Sequence, residues 1–324
     1  MSIIGVQKMQ TIVTDSPEKA AERLNLGEIV AFPTETVYGL GADVFRPESI
    51  VRIFTAKGRP SDNPLIVHVA SPELIGEIAA EINRHAKALI ERFFPGPLTV
   101  VLNKNHSVPD VVTAGLPTVG VRCPSHPVAS AFLRHCDHPV AAPSANVSGR
   151  PSSTDWKTVY HDLGGRIDCL LRGEPSTIGL ESTIVDCTVD PPLLLRSGAV
   201  SIESLREVIP DMLIATTCQL GERPKSPGMK YRHYSPEALI VLTEIPPANL
   251  PLPQEQAYIG LSAPPEGATH ALQCRSAEEY ARVLFGFFRT CDAMGIRTIY
   301  CELPPEAGIG RAIRDRLYKA ASGR

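Results

Sequence analysis

The stretch Ala56-Lys57-Gly58-Arg59-Pro60-Ser61-Asp62-Asn63-Pro64-Leu65-Ile66-Val67-His68 constrains this chain more than any other. It closes a helix, crosses a stiff polar loop and enters an apolar strand. Glycine lets backbone approach a ligand closely, and proline fixes φ and stiffens the turn. Lys57 and Arg59 are therefore placed in a shaped loop. The pair suits a phosphate chain, with lysine as a point charge and arginine as a planar fork. Taken alone, a K-x-R loop reads first as a solvated turn. The polar loops at later strand ends favour the ligand-binding reading.

The same device recurs. Ser16-Pro17 starts a helix that Gly27 stops, and Glu28–Phe32 is a short buried strand. That strand empties into Pro33–Asp43, a loop with two hydroxyls, two carboxylates, a phenol and two glycines. In open α/β sheets, ligands bind just past strand ends. Helices are expected over 47–56, 83–94 and 126–134, and strands over 65–69, 98–102, 118–122 and 140–142. His68 sits in an otherwise apolar strand, as a core histidine or as a site residue facing the cationic loop. Arg122 ends its strand, free to fork onto a ligand carboxylate or a structural acid. Val140–Ala142 runs into the hydroxyl- and amide-rich loop Pro143–Thr154, where Thr154 is placed to cap the next helix. Strands come next at 167–171 and 182–187, and Arg196 puts another cation at a strand's end.

From Pro210 to Pro236 periodicity lapses. A plain linker is chemically dull, yet Gly221–Pro236 holds two tyrosines, a histidine and four cations. It reads as a segment that folds over a ligand. Beyond it lies a second α/β unit, with strands at 238–242, 258–261 and 297–301. Ser276-Ala277-Glu278-Glu279 is a capping box, and Tyr280, Val283, Leu284, Phe287, Phe288 and Cys291 keep helical spacing as core. Gly308-Ile309-Gly310 opens the last helix like half of a dinucleotide-binding turn, but Ile313 stands where the third glycine belongs.

Several classes are excluded. There is no P-loop, no G-x-S-x-G elbow and no H-E-x-x-H. The net charge of -3 gives no global field for holding nucleic acid. The eight cysteines lack metal spacing and read as reduced thiols of a cytoplasmic protein. His135 and His138 stand three apart, but Pro139 comes directly after and no further ligand is near. No signal peptide is expected, and no run approaches the ~20 apolar residues of a membrane span. With 324 residues, two domains are expected. What remains is a set of strand ends bearing Lys57, Arg59, Arg122 and Arg196 among hydroxyl and amide loops. That suits a polyanion and a small polar substrate, brought together by positioning and charge neutralisation.

Phe32-Pro33-Thr34-Glu35-Thr36-Val37-Tyr38-Gly39-Leu40, then Lys57-x-Arg59 with Asn63-Pro64-Leu65, then Pro143-Ser144-Ala145-Asn146-x-Ser148-Gly149 strongly resemble the YrdC-like threonylcarbamoyl-AMP synthases. Ser226-Pro227-Gly228-Met229-Lys230-Tyr231-Arg232-His233-Tyr234 resembles the linker of the family's long form. The resemblance implies a YrdC-like twisted mixed α/β sheet with flanking helices over 1–209, a lid over 210–236, and a smaller Rossmann-like α/β domain over 237–324. It implies that ATP, L-threonine and bicarbonate give L-threonylcarbamoyl-AMP and pyrophosphate. The product then serves N6-threonylcarbamoyladenosine formation in ANN-decoding tRNA. Downstream tRNA threonylcarbamoyl-transferase proteins would make that transfer, so contact with tRNA is weak or indirect.

Carried over by position, Lys57, Arg59, Ser144 and Asn146 handle the triphosphate and the forming carbamate. Arg122 holds the threonine carboxylate, with Thr36, His68, the backbone at Ala142, and Ser182 lining the threonine pocket. Asn63, Thr118, Ser152 and Arg196 contact the nucleotide, and Tyr234 closes over it. Mg²⁺ rides on the phosphates, with no protein side chain as its ligand. Two other readings compete: a non-enzymatic RNA-binding module of translation, and a carbamoyl-transfer enzyme like the related domain of hydrogenase-maturation proteins. The net charge weighs against the first and the missing CxxC pair against the second.

Overall fold

A computed structural model describes residues 10–215, 234–246 and 253–322. Residues 216–233, which hold most of the expected lid, lie outside these, whereas Tyr234–Pro236 lie inside. In chain order the strands of the first unit are β1 (Ile12–Thr14), β2 (Val30–Phe32), β3 (Gly39–Asp43), β4 (Ile66–His68), β5 (Leu98–Asn103), β6 (Thr118–Arg122), β7 (Val140–Ala142), β8 (Cys169–Leu171), β9 (Thr183–Asp186), β10 (Leu193–Arg196) and β11 (Leu213–Ile214). They form one mixed sheet in the order β1-β8-β2-β3-β7-β4-β6-β5-β9-β10-β11. The second unit holds β12 (Leu239–Thr243), β13 (Gln256–Gly260), β14 (Ala271–Gln273) and β15 (Thr298–Glu302), all parallel, in the order β12-β15-β13-β14. Both architectural expectations, a mixed α/β sheet and a smaller Rossmann-like unit, are met.

Local chemistry sets most helix ends. Ser16, Asn83, Ser201 and Ser276 each accept a hydrogen bond from a first-turn amide, supplying a partner the helix start lacks. The helix after β7 starts one residue later than expected. Asp155, not Thr154, takes the Thr158 amide, because its longer carboxylate also accepts the Thr158 hydroxyl. The helix Pro47–Lys57 ends because Gly58 adopts φ 61°, a left-handed conformation that costs glycine little. Lys57 is thereby fixed as the helix's last residue.

The main departure from the sequence reading is β3. Gly39–Asp43 read as loop but form a buried strand antiparallel to β2, with Phe32 opposite Gly39. Its glycines are there for clearance. A Cβ on Gly39 would sit 3.0 Å from the Phe32 ring, and one on Gly41 would sit 2.6 Å from Val140. Glycine weakens the strand pattern in sequence while making room for a neighbouring ring. The helix Ala277–Ala293 also turns slightly from the expected face. Phe285 is buried in the core, while Val283 and Phe287 are only partly buried.

Candidate active site

A cavity opens where several strands of the large sheet run into loops. In register, His68 of β4 stands beside Arg122 of β6 and Val140 of β7, and Ile66 beside Ala142. Three neighbouring strands thus bring His68, Arg122 and Ala142 to one wall. Main-chain bonds tie the facing loops together: Tyr38 N–H donates to Ser153, Ala145 N–H to Tyr38, and Ser148 N–H to Lys57. Eleven of the expected positions line the cavity: Thr36, Arg59, His68, Arg122, Ala142, Ser144, Asn146, Ser152, Ser182, Arg196 and Tyr234. They come from segments scattered between Thr36 and Tyr234 along the chain, so only the fold assembles them.

Lys57, Asn63 and Thr118 do not line it. Lys57 is only 2 % exposed and lies behind the Ser144–Asn146 loop. Its ammonium donates to the main-chain oxygens of Ser144 and Asn146, each at 2.5 Å. Those bonds take two of its three donors. Burial pushes its pKa well below the ordinary lysine value, and the Arg59 charge acts in the same direction. Asn63 is buried with no hydrogen-bond partner on either end of its amide. Among the described residues nothing pairs with that amide, and a buried orphan of this kind calls for a partner. Thr118 opens β6 opposite Asn103, about 13 Å along the strand from Arg122.

Among the described residues four cations face the cavity: Arg59, Arg122, Arg150 and Arg196. Arg122 is 4 % exposed and Glu35, beside it, 5 %. Their closest atoms are 2.6 Å apart, and Arg122 Nη1 donates to Thr36 Oγ1 at 2.7 Å. Burial pushes the Glu35 carboxyl up, but the Arg122 charge beside it outweighs this and holds the pKa below the usual range. Arg196 donates to Ser182 through Nε, to its main-chain oxygen at 3.0 Å, and through Nη2, to its hydroxyl at 3.1 Å. Ser144 Oγ donates to Asn146 Oδ1, whose amide donates onward to the main-chain oxygens of Val147 and Arg150. Two acids emerge that the sequence reading gave no role. Glu35 was visible in its motif but only the fold pairs it. Glu181 accepts from Ser152 Oγ at 2.5 Å and from Arg316 Nε at 2.9 Å.

His68 is buried against Phe32, ring edge to ring face at 5.7 Å. Burial, reinforced by the Arg122 charge, drops its pKa from 6.5 to about 3. It therefore faces the cavity as a neutral ring near pH 7. Between these two values the unfolded chain binds a proton that the folded chain refuses, so stability falls as pH drops through the window. In His68→Asn, the drop in urea midpoint from pH 7 to pH 5 is expected to be smaller than in the parent. An equal drop in both would show that His68 protonates in the folded state.

In the second unit, the strand ends where a dinucleotide would sit in such a sheet are occupied by the chain itself. Glu302 accepts from Tyr258 Oη and from the amides of Leu261 and Ser262, at 2.6, 2.8 and 2.8 Å. The chain's own carboxylate fills the anion position. Among the described residues, no group of three or more metal-ligating side chains occurs, and no helix is long and apolar enough to cross a membrane.

The site is thus a cation-walled cavity at the loop ends of a mixed α/β sheet. The Sua5_yciO_yrdC family model, described as telomere recombination, matches residues 22–198, and the model for the C-terminal domain of threonylcarbamoyl-AMP synthase matches residues 200–322. Threonylcarbamoyl-AMP synthase of Pyrococcus abyssi is 42% identical over 94% of both chains. That of Bacillus subtilis is 42% identical over 96% of this chain and 95% of its own. The crystal structure of P. abyssi Sua5 complexed with L-threonine matches with a TM-score of 0.86 at 38% identity, covering 97% of each chain. The chain belongs to the threonylcarbamoyl-AMP synthase family, in its two-domain form.

Proposed function

We propose that the chain is an L-threonylcarbamoyladenylate synthase, a nucleotidyltransferase that joins ATP, L-threonine and bicarbonate with release of pyrophosphate. The threonine amine attacks the bicarbonate carbon and water leaves, giving a carbamate. A carbamate oxygen then attacks the α-phosphate, and the bond to the β-phosphate breaks with its electron pair leaving on pyrophosphate. Both partners of the second step are anions, so a barrier of charge repulsion must be lowered by fixed cations. The observation that carries the reading is the wall of four arginines supplied by four separate segments, with hydroxyl and amide groups between them. The P. abyssi relative bound to L-threonine supports the amino-acid half.

In this reading Arg122 takes the threonine carboxylate, and Thr36, His68, the Ala142 backbone and Ser182 enclose the rest. Arg59, Ser144, Ser152 and Arg196 take the nucleotide at the cavity wall, Asn63 and Thr118 take it from beyond that lining, and Tyr234 closes over it. Lys57 acts on the triphosphate and carbamate chiefly through the Ser144–Asn146 loop it holds. Mg²⁺ arrives as the counterion of ATP, which fits a wall rich in arginine. The product is a cytoplasmic precursor of N6-threonylcarbamoyladenosine, passed to a separate tRNA-modifying transferase.

The test is pyrophosphate release from ATP by purified protein, with threonine and bicarbonate each supplied or withheld. Release is expected only when both are present. ATP turnover independent of threonine, or none in any mixture, would overturn the reading.

A further inference from the structure

Arg316 sits on the last helix, Gly310–Ala321, in the second unit, yet it is 0 % exposed and aims at the cavity of the first. Its Nε donates to Glu181 Oε2 at 2.9 Å and its Nη2 to the main-chain oxygen of Ser197 at 3.1 Å, while its Nη1 donates to Asp315. Its guanidinium carbon lies 5.3 Å from the centre of the Tyr234 ring. The Tyr234 ring also stacks on Phe285, from the helix Ala277–Ala293, with centroids 5.4 Å apart and planes 21° apart. Tyr234 itself has φ 65°, a left-handed backbone that a bulky residue keeps only when its surroundings impose it. Phe285 and Arg316, from two helices of the second unit, both pack against its ring.

Each of these contacts reaches one side of the cavity. Glu181 lines it and accepts from Ser152. Ser182, next in chain, holds Arg196, and Ser197 comes directly after Arg196. Arg316 therefore braces, directly or through one neighbour, Ser152, Glu181, Arg196 and Tyr234. The partners of Arg316 itself are Glu181, Ser197, Asp315 and Tyr234, and none of these is Arg122, Glu35 or Thr36. Burial lowers and the surrounding anions raise the Arg316 pKa, with the anions prevailing, so the guanidinium stays charged.

We propose that Arg316 is a positioning residue: through it the last helix braces the nucleotide side of the cavity more than the Arg122–Glu35–Thr36 side. The inference rests on the function proposed above. A buried ion pair that only stabilised the fold would weaken both halves of the site together. Selective bracing predicts a split between the substrates.

The experiment compares the full-length parent with Arg316→Lys and Arg316→Met, and with Phe285→Leu as a second route to the same ring. Folding is checked by circular dichroism. Pyrophosphate release gives KM for ATP and for threonine, and calorimetry gives the Kd for L-threonine alone. In Arg316→Lys the KM for ATP is expected to rise about tenfold, the order of one lost charge-assisted hydrogen bond, with threonine Kd within about twofold of the parent. Phe285→Leu is expected to move ATP in the same direction, which keeps the test alive should Arg316→Met fail to fold. Unchanged KM for ATP in folded Arg316→Lys, or equal losses for both substrates, would overturn the inference while leaving the synthase reading intact. A parent protein that releases no pyrophosphate would overturn both.

Discussion

Arg122→Met is expected to abolish threonine-dependent pyrophosphate release and to destabilise the fold by about 3–5 kcal/mol, the cost of leaving a buried charge without its partner. The stranded group is Glu35, buried and 2.6 Å from the guanidinium. The Thr36 hydroxyl loses its Arg122 donor at the same time. The two effects separate in a double variant. Arg122→Met with Glu35→Gln removes the uncompensated carboxylate, so much of the stability returns while activity stays lost. Urea midpoints for the two singles and the double, with pyrophosphate release beside them, close the cycle. Should Arg122→Met unfold at the parent's midpoint, the pair is not what holds this wall.

Lys57→Met comes next, with kcat/KM expected to fall about a hundredfold or more, as a displacement of about 1 Å in a reacting group can cause. Methionine keeps the stem and removes the donor that joins the Ser144 and Asn146 oxygens. Two buried acceptors then go unpaired, each at about 1–3 kcal/mol. Lys57→Gln decides between a loop clasp and a phosphate cation. Glutamine keeps N–H donors without charge, so a glutamine variant clearly better than the methionine one would assign Lys57 to the loop. Equal loss in both would assign it to charge on the phosphates.

Position in the sequence made Lys57 and Arg59 look like twins, and the structure separates them. Arg59 faces the cavity, while the Lys57 ammonium turns back under the loop. The reason is the helix end. Lys57 is the last helical residue and Gly58 reverses the chain, so the two cations leave on different sides. The same limit hid β3, whose glycines are required by the Phe32 ring and Val140 and carry no strand signal of their own. Arg316 did leave a trace. It falls on the buried stripe of its helix with Ile313, Leu317 and Ala320, an arginine where an apolar residue is expected. Its partner Glu181 lies 135 residues away, beyond the reach of any local pattern.

By itself the sequence determined what short-range chemistry controls: the capped helices, the apolar strands between proline- and glycine-rich loops, and the cations at strand ends. Those arise from propensity, capping and periodicity, which act over a few residues. Only the tertiary structure decided which groups meet. Arg122 with Glu35, Ser152 with Glu181, and Tyr234 with Arg316 and Phe285 are each joined across the fold. Burial then does what sequence cannot encode locally, keeping His68 neutral and making Glu35 and Glu181 depend on distant arginines for their charge.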